Sequence, residues 1–386
     1  MARQKFGERL PFVDIVTTEF PPYVRGGAGI HVYELTQQLA TRTKVAVTLL
    51  DRSMPTAKES IPLDRMGIAP QRLSGIEAER LEPAATGWVT HTHSLTAHIA
   101  AKRSDRSYVS SVHSLEIDRP WRASRHKGAF ERAVADEAEA ISKASDVVCV
   151  SGAMADSVTQ HCGPVRCHVI PPGYDMNTLY HDSKLDALPD VPIDWHQPFI
   201  LATGRISRQK GYRYLFAAMR HLEKPTTFVL RAGSPESDVD LANFEEMLAN
   251  APERHTIIWL RAGLGRRGMR QLYSRAALHI SPAIYEPFGL ANVEALLCGT
   301  PVAATDVGGT AEALSGTPAV LLPDPRDNDE KLARQIAEVI DRIPGDEWLL
   351  DAVRSETTRS VLSRASWDRV LPRLMEVYRS SLNRAE

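Results

Sequence analysis

Residues 285–301, Tyr-Glu-Pro-Phe-Gly-Leu-Ala-Asn-Val-Glu-Ala-Leu-Leu-Cys-Gly-Thr-Pro, constrain the fold of this chain most. The run reads as a strand end, a tight loop, a short helix opening near Gly289 and an abrupt stop. Gly299 suits the left-handed residue just past a helix, and Pro301 forbids continuation. The first turn of a helix leaves its N–H groups unpaired and carries partial positive charge. The amides of Phe288, Gly289 and Leu290 are therefore placed to receive an anion or sugar hydroxyls. Glu286 lies just before that opening, and Glu294 about a turn and a half inside it. The apolar run Ala295-Leu296-Leu297-Cys298 predicts a largely buried helix, where an acid needs a polar partner. Each glutamate also has an ordinary reading: Glu294 as a solvated helix residue, Glu286 as a charge that complements the helix dipole.

At 386 residues the chain exceeds one ordinary core and fits two domains. A net charge of −2 gives no basis for binding nucleic acid or an anionic membrane. The four cysteines, Cys149, Cys162, Cys167 and Cys298, show no paired metal spacing and read as reduced thiols of a cytoplasmic protein. No long apolar stretch follows the charges of Met1–Arg9, so no signal peptide is expected, and no window reaches the length of a membrane span. A soluble chain is expected, with a homodimer left open.

Val13–Thr18 reads as a strand, followed by Gly26-Gly27-Ala28-Gly29 and a helical pattern from Ile30 to Leu39. Strand, glycine loop and helix place a phosphate at a helix N-terminus in doubly wound folds. The glycines lack the G-x-G-x-x-G spacing, which argues against a dehydrogenase. Phe199–Lys210 delivers a second such unit, in which a strand brings Arg205 and a turn brings Lys210. A guanidinium fork beside an ammonium suits a diphosphate, with surface salt bridges as the ordinary alternative. Gly87–His93 and Tyr108–His113 read as strands ending in a histidine at the carboxyl edge, where open α/β sheets bind ligands. His91 reads as structural and no metal is expected, because no carboxylate or cysteine accompanies His91 and His93 in sequence. The segment from Val45–Leu50 to about Leu81 reads as one strand and then polar, irregular chain. Helices are expected at 130–142, 269–276 and 366–382, strands at 146–151, 227–234, 256–260 and 302–305. A Pro-rich linker is expected after Asp175, and Asp238-Val239-Asp240 reads as a solvated loop.

These segments together resemble the retaining nucleotide-sugar glycosyltransferases of the GT-B fold, family 4. The carriers are the E-x7-E spacing of Glu286 and Glu294 with Gly-Thr-Pro behind it, the G-R-x4-K-G run at 204–211, the Pro- and Gly-rich stretch 21–29, and Ser-Val-His at 111–113. The resemblance implies an α/β fold of two Rossmann-like doubly wound domains facing a central cleft. An N-terminal acceptor domain would span 1–175 and a donor domain 176–365, with a helix at 366–386 packing back on the first. It implies that Glu286 holds sugar-ring hydroxyls, Glu294 the ribose diol, and Arg205 and Lys210 the donor phosphates. Gly27 and the amides at Phe288, Gly289 and Leu290 would approach the diphosphate, and Gly233 with residues 262–265 the base. His113 would contact the sugar near its 6-hydroxyl, completing a catalytic set with Glu286, Arg205 and Lys210.

On the acceptor side the resemblance places His93, Trp121 and Arg122. The stretch continuing through Arg125, His126 and Lys127 reads equally as a solvated helix start. The nucleotide sugar is a co-substrate, and no cofactor is implied. The subgroup resembled is that of actinobacterial glycogen synthases and maltose-1-phosphate synthases, which use ADP-glucose to extend an α-glucan or cap glucose 1-phosphate. Arg25 and Leu260-Arg261-Ala262-Gly263 depart from it. The alternatives are a transferase of a small-molecule natural-product pathway and a catalytically silent sugar-nucleotide binder. Retention of the whole charged set opposes the second.

Overall fold

The structure is a computed structural model that describes residues 11–21, 24, 26–51, 71–74, 87–104, 107–124, 127–184, 188, 191–326, 328–342, 357, 359–361 and 363–385. Met1–Arg9, Arg25, Arg125 and His126 lie outside the described residues, as does most of the segment leading to Leu81.

Two parallel sheets build two lobes. The first contains β1 (Phe12–Thr17), β2 (Val45–Asp51), β3 (Gln71–Ser74), β4 (Trp88–Thr92), β5 (Tyr108–Val112), β6 (Asp146–Cys149) and β7 (Cys167–Val169), in the order β3-β2-β1-β4-β5-β6-β7. The second contains β8 (Phe199–Arg205), β9 (Thr227–Gly233), β10 (Thr256–Trp259), β11 (Leu278–Ser281), β12 (Val302–Thr305) and β13 (Val320–Leu322), in the order β10-β9-β8-β11-β12-β13. Both strand orders reverse beside the lobe's first strand, between β1 and β4 and between β8 and β11. Such a switch point opens a crevice at the carboxyl ends of the strands. The chain leaving β1 carries Gly26 and Gly27, and β8 ends on Gly204 and Arg205 with Lys210 in the turn behind it. This is the doubly wound α/β arrangement of the GT-B fold. The inner strands are near-continuous apolar runs, with Val13, Ile15 and Val16 buried in one lobe and Ile200 and Leu201 in the other, because helices cover both sheet faces.

The helices are α1 (Gly27–Ala40), α2 (Leu95–Arg103), α3 (Lys127–Ser142), α4 (Gly152–Cys162), α5 (Tyr212–Ala218), α6 (Asp238–Ala249), α7 (Gly265–Arg275), α8 (Leu290–Leu297), α9 (Thr310–Leu314), α10 (Asp329–Asp341) and α11 (Trp367–Ala385). In α11 the apolar positions Trp367, Val370, Leu371, Leu374 and Tyr378 recur at helical spacing. They join the core of the first sheet, beside Val13 and Ile15. The end of the chain thus returns to the lobe in which it began.

Three sequence expectations are corrected. Asp238 and Asp240 are not in a loop: Ser237 caps α6, accepting the Asp240 amide at 3.1 Å, and both acids occupy the first turn, where they complement the dipole. The polar segment after β2 contains the edge strand β3. α7 starts at Gly265, before the apolar residues that mark its buried face. Among the described residues no helix is long and apolar enough to cross a membrane, and no cluster of histidine, cysteine or carboxylate side chains has metal-holding geometry.

Candidate active site

The loops after β1 and β8 meet. A Cβ added to Gly27 would stand 2.9 Å from Leu290 Cδ1, and one on Gly26 3.9 Å from Arg205 Nε. The N-terminus of α1 therefore opposes that of α8 with the Arg205 side chain beside them, and a side chain at Gly27 would have to push the tip of Leu290 aside. The backbone amides of Phe288, Gly289 and Leu290 donate to no other described backbone group, and Arg205 forms no ion pair with another described residue. Lys210 follows on a 3₁₀ turn, Arg208–Lys210. Its Nζ lies 2.6 Å from Glu286 Oε2, with the two side chains only 20% and 11% exposed. Two helix N-termini, a guanidinium and an ammonium thus converge on one point, with a carboxylate beside them.

The loop bearing Glu286 is fixed from several sides. Gly309 N donates to Glu286 O at 2.9 Å, Gln209 Nε2 to Tyr285 O at 3.0 Å, and Ser151 Oγ of the first lobe to Pro287 O at 2.7 Å. Gly308 adopts φ +56°, and a Cβ there would sit 2.4 Å from Glu286 O. Gly308→Ala is expected to displace this loop and lower turnover on the order of 100-fold, the effect of a misplacement of about 1 Å. The thermal midpoint should fall only slightly. Initial rates set beside melting curves check this; equal rates in both proteins would refute it.

Glu294, one turn into α8, accepts the Tyr273 hydroxyl at 3.4 Å. Burial raises its pKa, and the nearby Arg266 guanidinium and the Tyr273 hydroxyl oppose the rise. Arg266 also pairs with Glu34 on α1 and donates to Thr178 Oγ1 at 3.1 Å. Glu34 to Arg266 is one of several contacts between the lobes. Arg122 pairs with Glu236 at 3.1 Å, the Tyr285 hydroxyl donates to Asp118 at 3.1 Å, and Gly152 N donates to Glu312 at 2.6 Å. The lobes are drawn together in this structure.

Histidines line the first lobe's share of the crevice. His93 and His113 follow β4 and β5, with His93 Nδ1 3.2 Å from His113 Nε2, one ring donating to the other. His31, on α1, stands edge-on to His113 at 5.4 Å between centroids. Burial lowers the His113 pKa to about 4 and that of His31 to about 3, and holds His93 well below its usual value. All three rings are neutral at pH 7, fit to exchange hydrogen bonds with hydroxyls. His93 Nε2 and His31 Nδ1 are buried with no partner among the described residues. His91, by contrast, is tied to the Tyr378 hydroxyl at 2.7 Å and to Ser111 Oγ at 2.8 Å, in keeping with its structural reading.

The other sequence-derived candidates lie nearby. Trp121 meets Tyr285, the neighbour of Glu286, edge-on at 6.3 Å. Arg122 is held by Glu116 at 2.6 Å as well as by Glu236, so an anion arriving there meets a charge already neutralised. Gly233 ends β9, where its carbonyl accepts Ile206 N at 3.2 Å, one residue past Arg205. Residues 262–265 lead into α7 and Arg266.

Two family profiles match this chain: "Glycosyltransferase Family 4" over residues 25–178 and "Glycosyl transferases group 1" over residues 186–344. The chain is a GT-B glycosyltransferase. It is 29% identical over 383 residues to an alpha-maltose-1-phosphate synthase of Mycolicibacterium smegmatis, covering 95% of this chain and 98% of that protein. It is 26% identical over 406 residues to a D-inositol 3-phosphate glycosyltransferase of Xylanimonas cellulosilytica, covering 93% of each. The crystal structure of Anabaena HepE in complex with UDP-glucose has the same fold, with a TM-score of 0.73 and 19% identity, over 96% of this chain and all of that one.

The glycosyltransferase adds His31, Glu34, Arg266 and Tyr273 to the residues read from the sequence. His31 had a signal: at i+4 from Gly27 it shares the face of α1 that meets the glycine loop. Glu34 and Arg266 had none, because their pairing exists only once the lobes meet.

Proposed function

We propose that this glycosyltransferase is a retaining hexosyltransferase. It takes an ADP-, GDP- or UDP-sugar and passes the sugar to a hydroxylated or phosphorylated acceptor, with an α-glucan or glucose 1-phosphate the leading choices. One observation carries this reading: Arg205, Lys210 and the N-termini of α1 and α8 converge where only a compact polyanion such as a diphosphate would satisfy all four. The names of two similar proteins support a phosphorylated acceptor or product, and the UDP-glucose bound by the Anabaena protein supports the donor class.

In this reading the Lys210–Glu286 pair exchanges partners. An arriving diphosphate takes the ammonium, and the freed carboxylate accepts hydrogen bonds from the sugar ring beside the reacting carbon. As the glycosidic C–O bond breaks, its electron pair passes to the departing phosphate oxygen. Fixed positive charge there stabilises the transition state more than the ground state. The acceptor hydroxyl attacks from the face the phosphate leaves, and its proton goes to that phosphate. Glu286 orients the sugar and forms no bond to it. Neutral His113 bonds a sugar hydroxyl, Glu294 and Tyr273 receive the ribose, and closed lobes keep water from the sugar carbon.

A thermal-shift panel of ADP, GDP, UDP and dTDP tests the donor half. The matching nucleotide should stabilise the chain by about 2.7 kcal/mol at a hundredfold excess over its Kd. Nucleoside diphosphate release with glucose 1-phosphate or an α-glucan, and the anomeric proton coupling of the product, test the rest. A panel without a shift defeats the proposal, and a product of inverted configuration defeats its mechanism.

A further inference from the structure

Glu286 acts from the second lobe, yet the residues on either side of it in the chain are both fastened to the first. Pro287 O accepts Ser151 Oγ at 2.7 Å. On the other side the Tyr285 hydroxyl donates to Asp118 Oδ2 at 3.1 Å and accepts the amide of Leu115, two residues past His113, at 3.4 Å. Both fastenings rest on α4. Ser151 caps that helix, accepting Met154 N at 3.2 Å, and Ser157 Oγ donates to the two oxygens of Asp118 at 3.0 Å. One helix of the first lobe therefore seats the Glu286 loop from both directions.

The partners of Tyr285 are themselves held. Its carbonyl accepts Gln209 Nε2 at 3.0 Å, one residue before Lys210. In the segment after β5, Glu116 N donates to the buried Glu137 at 2.6 Å and Arg119 N to Glu116 O at 2.9 Å. That turn presents the Leu115 amide and the Asp118 carboxylate to a single hydroxyl, and Leu115 N donates to no described backbone carbonyl. Burial raises the Tyr285 pKa and the Asp118 carboxylate raises it further, so the hydroxyl keeps its proton at neutral pH and remains a donor. A hydroxyl that gives one bond and receives another is fixed in two directions, and the bond to a carboxylate is the stronger. Tyr285 belongs to one lobe and its partners to the other, so neither sheet depends on these bonds for its own fold.

We propose that Tyr285 is a positioning residue for sugar transfer: its hydroxyl, received by Asp118 and Leu115 N, sets Glu286 of one lobe and His113 of the other at a fixed spacing around the sugar and keeps water from competing with the acceptor. When the tie is cut, the crevice opens more often. Water then attacks the sugar carbon in place of the acceptor hydroxyl, its proton passes to the departing phosphate, and free sugar and nucleoside diphosphate result. The effect on transfer rests on the proposed donor site; the tie between the lobes does not.

Kinetics with whichever of ADP-, GDP- and UDP-glucose the parent turns over, joined to hydrogen exchange on the full chain, test this. Tyr285→Phe keeps the ring that Trp121 meets edge-on and should melt close to the parent. Its kcat should fall about tenfold, the loss of one charge-assisted hydrogen bond, and the share of nucleotide sugar lost to water should rise several-fold. Nucleoside diphosphate should bind as it does to the parent, because Arg205, Lys210 and the amides of α8 are untouched. Asp118→Ala should reproduce these effects, and the double variant should lose no more than Asp118→Ala alone. Asp118→Asn, which retains an acceptor oxygen, should restore most of the rate. The Leu115 amide should lose its exchange protection in Tyr285→Phe. Parental kcat and parental partition to water in Tyr285→Phe, or losses that multiply in the double variant, overturn the proposal, as does a nucleotide affinity that falls as far as kcat. A parent that turns over none of the three sugars, with Leu115 deprotected in Tyr285→Phe, leaves the tie between the lobes standing and defeats the donor reading.

Discussion

Lys210→Ala is expected to lower kcat/KM for the nucleotide sugar by on the order of 10³-fold while the chain remains folded. The ammonium lies 2.6 Å from Glu286 and beside the opposed helix N-termini, where the leaving diphosphate gathers charge. Its loss therefore removes stabilisation that grows as the bond breaks. Stability changes less. Removing one partner of a fully buried ion pair costs about 3–5 kcal/mol, but with side chains 20% and 11% exposed, water reaches the stranded carboxylate. A cost of about 1–2 kcal/mol follows. Glu286→Gln separates the two roles of the pair. It also abolishes transfer, yet it frees Lys210 from its counter-charge, so nucleoside diphosphate should bind as tightly as before or more tightly. Lys210→Ala should weaken the same binding. Calorimetric titration of both variants, alongside steady-state rates at saturating acceptor, distinguishes these outcomes. Undiminished turnover in Lys210→Ala would end the assignment.

What could be read in the sequence is what the chain does locally. The α8 segment announced itself because Gly289 takes φ +97° at the helix start and Gly299 φ +95° past its end, both positions that only glycine occupies without strain. Lys210 and Arg205 were legible because a strand, a turn and three cations within six residues, Arg208 being the third, have few other uses. β3 was not: Gln-Arg-Leu-Ser is short, polar and at a sheet edge, so neither alternation nor hydrophobicity marks it. Asp238 and Asp240 misled because acids at a helix start look like a solvated loop unless the capping Ser237 is weighed. The contacts that close the crevice were invisible for a different reason. Arg122 with Glu236, or Glu34 with Arg266, are pairs of ordinary surface residues until two separately folded sheets bring them together.

The strongest pH effect should come from the buried histidines. Burial lowers the pKa of His31, His98 and His279 to about 3 and that of His113 to about 4, and holds His91 and His93 well below their usual value of 6.5. For such a ring the folded pKa lies under the unfolded one. Between the two, the unfolded chain carries a proton that the folded chain lacks, so stability falls as pH drops through 6.5 and levels off only near the folded values. Each ring contributes a slope of about 1.4 kcal/mol per pH unit in that window. Two acids act the other way. Burial raises Glu137 to about 7 and also raises Glu294, so their protons favour the folded chain. These two opposing acids reduce the uptake of the buried rings on unfolding without cancelling it. Against a total stability of about 5–15 kcal/mol, that slope empties the folded state within a few pH units. Denaturant unfolding measured from pH 7.5 to pH 5 should therefore show a steep loss beginning near 6.5. His98→Gln, which deletes a ring bonded to Thr92 and Ser110, should reduce the uptake by about one proton. Stability that stayed flat across that interval would mean the rings are charged or hydrated in the folded chain, and the neutral hydrogen-bonding role given to His113 and His93 would fall with it.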